Sequence, residues 1–351
     1  MKKIYVLNFI LFLLTSLAFA QYDQTDYQEK KCLACGVDDS DLFRKCEEVV
    51  FVNGEFLYWT ADSGDLEYAF QTNQTIAQVN YGLGDYKFAN YDYKPGFRVS
   101  LGWFNAPSYW QSYLQFTWMR VTGSDSTNRS EPFDQPVVGT FPQNTVLGQE
   151  LATASSNIKL NYELGDLLVS RVFLPNPHLR LRLFGGFTGG RIKQSWNVTY
   201  TDVAGQEERI FNQFRFIGGG LRLGLDFDWF FSCNFYLTGK VSTAPLLGKY
   251  KNISQINADT SGFAYQDAKY DQTRGAYNVQ AYIGPSYQYN LDCSRIEFFA
   301  GYELNSWFNV LEIIRPAEVA FADRLSGGHP ADINSGMFLL HGLSARFTWD
   351  F

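Results

Sequence analysis

The chain has 351 residues, among them 31 Phe, 22 Tyr, 8 Trp, 30 Gly and 5 Cys, and a formal net charge of -7. That acidic balance argues against nucleic acid as a partner. Beyond the first twenty residues no apolar stretch is long enough for a spanning helix, so the mature chain is either soluble and exported or crosses a membrane as strands. Aromatics at 17% with abundant Gly suit lipid-facing strands and interfacial girdles. A mean hydropathy of -0.21 fits strands whose inward polar residues dilute the outward apolar ones.

In chain order, Lys2 and Lys3, the apolar run from Ile4 to about Leu17 and the small-residue end Ala18-Phe19-Ala20 form a secretory signal over residues 1–20, with cleavage expected after Ala20. A periplasmic segment over 21–48 follows, and the remaining 49–351 reads as barrel. Five cysteines in an exported chain leave at least one thiol free, ligated or paired between chains. Cys32, Cys35 and Cys46 precede the first strand, whereas Cys233 and Cys293 fall in two short turns. The Cys32-Leu33-Ala34-Cys35 spacing also fits a redox motif or half a zinc site, but no second CxxC or paired His completes either. All five are disulfide candidates; no metal or other cofactor is expected.

Strands are read from period-two alternation. Phe97, Val99, Leu101 and Trp103 oppose Arg98, Ser100 and Gly102; Leu179, Leu181 and Leu183 oppose Arg180 and Arg182. Leu221, Leu223, Leu225, Phe227 and Trp229 oppose Arg222, Gly224, Asp226 and Asp228, and Val279, Ala281 and Ile283 oppose Gln280, Tyr282 and Gly284. At the end Leu343, Ala345, Phe347, Trp349 and Phe351 alternate with polar residues, and Phe347, Trp349 and Phe351 form the aromatic terminus that barrel assembly machinery favours. Charges in strands this apolar cannot face lipid, where each costs about 2 to 4 kcal/mol at the midplane. They must face a polar interior.

Short connectors at 105–108, 175–177, 231–233 and 292–294 alternate with long polar ones near 61–92, 123–155, 202–209, 251–271 and 314–336. The fold expected is therefore an all-β transmembrane antiparallel barrel of ten strands. They lie near 49–60, 93–104, 109–122, 156–174, 178–201, 210–230, 234–250, 272–290, 295–313 and 337–351. An even number puts both ends of the barrel on the side of the short, periplasmic turns. Leu66 to Phe70 could add strand, making twelve the alternative. Gly218-Gly219-Gly220 marks a bend or bulge, or close strand packing as at Gly185-Gly186 and Gly189-Gly190. Pro316 to Leu325 suggests a short helix in the last loop.

Several segments match a known family in order along nearly the whole mature chain. Val52-Asn53-Gly54-Glu55-Phe56-Leu57-Tyr58-Trp59 with Leu66-Glu67-Tyr68-Ala69, then Pro95-Gly96-Phe97-Arg98-Val99 with Leu101-Gly102-Trp103, resemble the opening of the Legionella-type major outer membrane protein family. Leu160-Asn161-Tyr162, Asp166-Leu167, Leu179-Arg180-Leu181-Arg182, Leu221 to Asp226 with Trp229, and Leu246-Leu247-Gly248-Lys249-Tyr250 are similar to its middle and later strands. The resemblance implies a pore-forming barrel. Members are abundant in chlamydia-like bacteria, whose envelopes are disulfide-linked, and the cysteine placement fits such cross-linking.

The function expected is passive diffusion of small hydrophilic solutes or ions. The lumen-lining residues would be Glu55, Arg98, Arg180, Arg182, Arg222, Asp226, Asp228, Lys240, Glu297, Glu303, Arg346 and Asp350. Their signs nearly balance, so strong ion selectivity is not expected. In a small barrel the same charges can pair across the lumen and fill it. The alternative is an adhesin or structural barrel with a closed lumen, whose long loops bind a host or partner. Expected partners are outer-membrane lipid, the barrel assembly machinery and disulfide-linked neighbours or a homo-oligomer. Enzymatic function is not expected: the three histidines are His178, His329 and His341, and no Gly-x-Ser-x-Gly, HExxH or phosphate loop appears.

Overall fold

The computed structural model describes residues 47–72, 84–129, 137–141, 151–232, 234–258, 264–291, 294–316 and 331–351. They form thirteen strands: β1 Glu48–Ser63, β2 Glu67–Thr72, β3 Gly84–Phe88, β4 Lys94–Asn105, β5 Trp110–Asn128, β6 Val137–Gly139, β7 Leu151–Asn176, β8 Leu179–Asp202, β9 Glu207–Phe230, β10 Phe235–Ala258, β11 Ala264–Asn290, β12 Arg295–Pro316 and β13 Ala331–Asp350. Ten of them close a ring, in the order β1-β4-β5-β7-β8-β9-β10-β11-β12-β13 and back to β1. All pairings in the ring are antiparallel. β2 pairs with β3 and β6, and β6 reaches the ring only through Val137 against Leu151. The Leu66 to Phe70 segment is thus strand, but it lies outside the ring and does not make it twelve.

Alternation fixes which side chains face in. On β1, β5 and β12 the odd residues point to the interior, and on the other ring strands the even ones do. The outward set is apolar: Phe56, Leu101, Leu114, Leu167, Leu223, Val241, Ile283 and Leu343 are all exposed. Trp103, Trp110, Trp229, Trp349 and Phe351 ring the end that carries the short turns, as an interfacial aromatic belt does. β7 to β11 each run 24 to 27 residues. Since about 9 to 11 cross the bilayer, the wall projects beyond it on the side of the loops.

The turns have local causes. Asn105 accepts from the Ser108 N–H at 3.2 Å and starts a single 3-10 turn that carries Pro107, after which Tyr109 takes a left-handed φ of 59°. On the outer side, the long connector expected at 202–209 is instead a tight turn. Asp202 Oδ1 accepts from the N–H groups of Ala204 and Gln206, both at 2.8 Å, and Gly205 adopts φ 83°. An Asx side chain that closes its own turn needs no extra chain.

Gly218 to Gly220 forms no bulge. The β8–β9 register runs unbroken from Leu179 opposite Trp229 to Thr201 opposite Glu207, so Phe214 and Phe216 point inward while Leu221 points out. Here glycine answers to crowding: a Cβ on Gly220 would lie 1.9 Å from the Pro245 carbonyl oxygen, and one on Gly186 2.0 Å from that of Leu167. The helix expected over Pro316 to Leu325 falls, apart from Pro316 at the end of β12, outside the described residues.

Candidate functional site

The barrel interior has two storeys. In the half nearest the short turns it is charged. Arg98 on β4 donates to Glu303 on β12 at 2.7 and 3.0 Å and to Glu55 on β1 at 3.0 Å. Arg180 and Arg182 on β8 both reach Asp228 on β9, at 2.8 and 2.7 Å. Arg222 donates to Asp166 at 2.9 Å, Gln280 at 2.8 Å, Asn278 at 2.9 Å and Ser242 at 3.0 Å, which links β9 to β7, β10 and β11. Arg295 holds Asp350 at 2.6 Å and Glu297 at 3.1 Å. Lys240 lies 4.6 Å from the Phe184 ring centroid, and Arg346 donates to the Tyr282 hydroxyl at 3.1 Å.

All twelve residues singled out from the sequence therefore lie on the inner face, and most are tied to one another. Between them is a cavity of about 110 Å³. It is bounded by Glu55, Arg98, Asp226, Lys240 and Arg346 and extends down to Val49 and Asp350 at the turn end. That volume holds several water molecules.

The outer half of the interior is mostly apolar, where the alternating charges had pointed to a polar interior, although Gln194, Asn212, Asn252 and Arg274 are also buried there. Trp59, Ile158, Leu160, Tyr162, Trp196, Phe214, Phe216, Tyr250, Trp307 and Phe338 are all buried there. Tyr162 on β7 packs edge-on against Trp307 on β12 with ring centroids 6.0 Å apart, and the Asn305 amide of β12 donates to the Tyr162 hydroxyl at 3.0 Å. β7 and β12 are five positions apart in a ring of ten, so this contact spans the full diameter.

The first outer connection folds into the mouth. Leu66, Tyr68, Ala69, Ala89 and Tyr91 belong to the same apolar core, as do Val137 and Phe141. The Tyr91 hydroxyl donates to Gln194 at 3.0 Å, and the Tyr200 hydroxyl donates to the Tyr68 carbonyl at 2.6 Å. Phe141 sits edge-on to Trp196 with centroids 5.4 Å apart. From the opposite wall Arg315 donates to the carbonyls of Asp65 and Glu67, both at 3.0 Å, and pairs with the Glu67 carboxylate at 3.2 Å. Burial together with Asp125 raises the Tyr68 hydroxyl well above its ordinary value, so it remains a donor.

The lumen set read from the sequence left out Asp166, Arg295, Asn278 and Gln280, although Gln280 and Asn278 share the alternation of Tyr282 and Gly284, and Arg295 lies two residues before Glu297. It also missed the inward Trp59, Trp196 and Trp307, because an aromatic in a membrane strand reads first as lipid-facing. Phe347, Trp349 and Phe351 are exposed on the outer wall. His178 lies in the turn before β8, and His341 lies on the outer wall within hydrogen-bonding distance of Asp62 and Tyr302, at 2.8 and 2.6 Å. His329 and all five cysteines fall outside the described residues. Among the described residues no cluster of His, Cys, Asp and Glu is placed to hold a metal ion.

The family model described as Legionella pneumophila major outer membrane protein precursor matches residues 46–351. No curated protein matches the sequence. Among solved structures, the outer membrane protease OmpT from Escherichia coli aligns at TM-score 0.38 and 11% identity, covering 86% of this chain and 96% of that one. A Pseudomonas aeruginosa FadL homologue aligns at TM-score 0.27 and 11% identity, covering 87% and 90%. The Pseudomonas putida toluene transporter TodX aligns at TM-score 0.27 and 7% identity, covering 86% and 89%.

Proposed function

Because the chain belongs to the Legionella pneumophila major outer membrane protein family, and because the outer half of its interior is bridged across the full ring, we propose that it is an outer-membrane barrel closed at rest. Exported with residues 1–20 removed, it acts as a structural component of the envelope whose external loops form its contact surface. The observation that carries this reading is the meeting of Tyr162 with Asn305 and Trp307 across the full ring. Opening a path there means exposing several buried aromatics, each stabilising the closed state by about 1.5 to 3 kcal/mol. Open barrels are then rare.

Conductance of the refolded mature chain in planar bilayers tests this. The wild-type barrel should be silent, and Tyr162→Ala combined with Trp307→Ala should introduce steps. Sustained conductance by the wild type would overturn the closed reading.

A second reading, passive diffusion of small hydrophilic solutes or ions, is favoured by the charged cavity of about 110 Å³ beneath the apolar storey. It requires that storey and the first outer connection to withdraw together. Both signs of charge line the cavity, so such a pore would select weakly between cations and anions. The five cysteines support disulfide-linked neighbours in the envelope under either reading.

A further inference from the structure

The outer wall carries a compact basic face on three adjacent strands. Lys193 of β8 stands directly opposite Arg215 of β9, which stands opposite Lys251 of β10. One step nearer the bilayer, Arg191 and Lys249 flank Ile217. Neighbouring strands are about 4.8 Å apart, so the upper three cations lie within about 10 Å of one another. Arg191, Arg215, Lys249 and Lys251 are exposed and Lys193 is half-buried. Among the described residues acidic neighbours stand only at the flanks: Glu163 opposite Arg191, and Asp271, whose carboxylate lies 4.0 Å from the Lys251 ammonium. Both partners of that ion pair are at least half exposed, and such a pair is weak. Among the described residues no carboxylate pairs with Arg191, Lys193, Arg215 or Lys249.

Immediately toward the bilayer the wall becomes apolar and grooved. Gly189 and Gly219 face each other and present no side chains, while Phe187, Leu221 and Leu247 stand around them, 68%, 54% and 65% exposed. A cationic rim directly above a glycine-floored apolar furrow matches a molecule with anionic phosphate at one end and acyl chain at the other. Cations at a bilayer surface attract anionic headgroups, and arginine forks onto phosphate oxygens. This rim is on the side of the long loops, in the external leaflet.

We propose that this face of β8, β9 and β10 binds a phosphorylated lipid of the outer leaflet. Its phosphate rests on Lys193, Arg215 and Lys251, and an acyl chain lies in the furrow over Gly189 and Gly219. The test uses the full mature chain in mild detergent, titrated with a bis-phosphorylated acylated disaccharide, with the dephosphorylated lipid and with inorganic phosphate. Lys193→Gln, Arg215→Gln and Lys251→Gln together should weaken binding of the phosphorylated lipid roughly a hundredfold. Arg171→Gln, which removes an exposed cation at the short-turn end of the outer wall, should leave it unchanged. Wild-type binding should also fall steeply with ionic strength, a readout that stands even if the triple variant fails to fold. Equal binding of the dephosphorylated lipid, no salt dependence, or displacement of the lipid by millimolar inorganic phosphate would overturn the proposal, the last by revealing a small-anion site.

Discussion

Arg98 and Glu303 face each other from strands three positions apart in the ring, and the guanidinium donates to both oxygens of the carboxylate at 2.7 and 3.0 Å. The pair is a chord across the interior, with side chains 5% and 0% exposed. Removing one partner strands a buried charge, which costs about 3 to 5 kcal/mol, whereas replacing both with apolar residues is often near neutral. Arg98→Met alone should therefore lower the urea midpoint of the refolded barrel sharply, and adding Glu303→Met together with Glu55→Gln, which removes both carboxylates that Arg98 holds, should recover most of the loss. A triple variant as unstable as the single would show that the three residues are not the coupled unit described.

The segment 89–92 runs against β5 so closely that a Cβ on Gly123 would lie 1.8 Å from the Asn90 carbonyl oxygen, and the Asp92 N–H donates to the Thr122 carbonyl at 2.9 Å. Gly123→Ala must push that backbone away, at a cost of about 1 to 3 kcal/mol. Limited proteolysis of the variant should cut within residues 84–92 well before the wild type is cut. Identical digestion patterns would mean that this segment does not lie inside the mouth.

How much of this could be read from sequence depends on which rule each residue obeys. The ring strands were legible because alternation is a two-residue signal that survives any tertiary context, and Leu221 to Trp229 displays it without interruption. The apolar outer storey was not legible. Trp59, Trp196 and Phe214 sit on the inner face of strands whose lower portions carry Glu55, Arg180 and Asp226 on that same face. Periodicity says that these residues share a face, but not that the face changes polarity halfway up. The inserted connection was hidden for another reason: Tyr68 and Tyr91 belong to short segments whose partners, Tyr200 and Gln194, are over a hundred residues away.

Phe351 closes the ring. Its N–H donates to the Val50 carbonyl at 2.9 Å, and the Val50 N–H donates back at 3.0 Å. Deleting it removes that reciprocal pair together with the exposed ring, while Asp350→Asn disturbs only the ion pair with Arg295. The deletion should reduce membrane insertion much more than the substitution, as read by heat-modifiable migration of membrane fractions. Equal loss would show that the terminal aromatic carries no assembly signal.

From the sequence, Cys233 and Cys293 are expected in short connections, on the side of the membrane where Cys32, Cys35 and Cys46 are also expected and where disulfides form. Adjacent turns of this kind are about 10 Å apart along the wall, beyond the roughly 7 Å Cα limit of a direct bridge. Non-reducing electrophoresis of native envelopes should show multimers that collapse to monomer with reductant. A monomer in both lanes, with all five thiols alkylated without reduction, would remove the cross-linking role.

An empty cylinder of strands yields to sideways force by flattening into an ellipse, since nothing inside resists the approach of opposite walls. Here the Arg98 to Glu303 chord, the fan of hydrogen bonds from Arg222 and the Tyr162 to Trp307 contact act as spokes between strands that are not neighbours. Lateral pressure and tension in the membrane then meet a solid rod, whose cross-section is held by its contents and not by the wall alone.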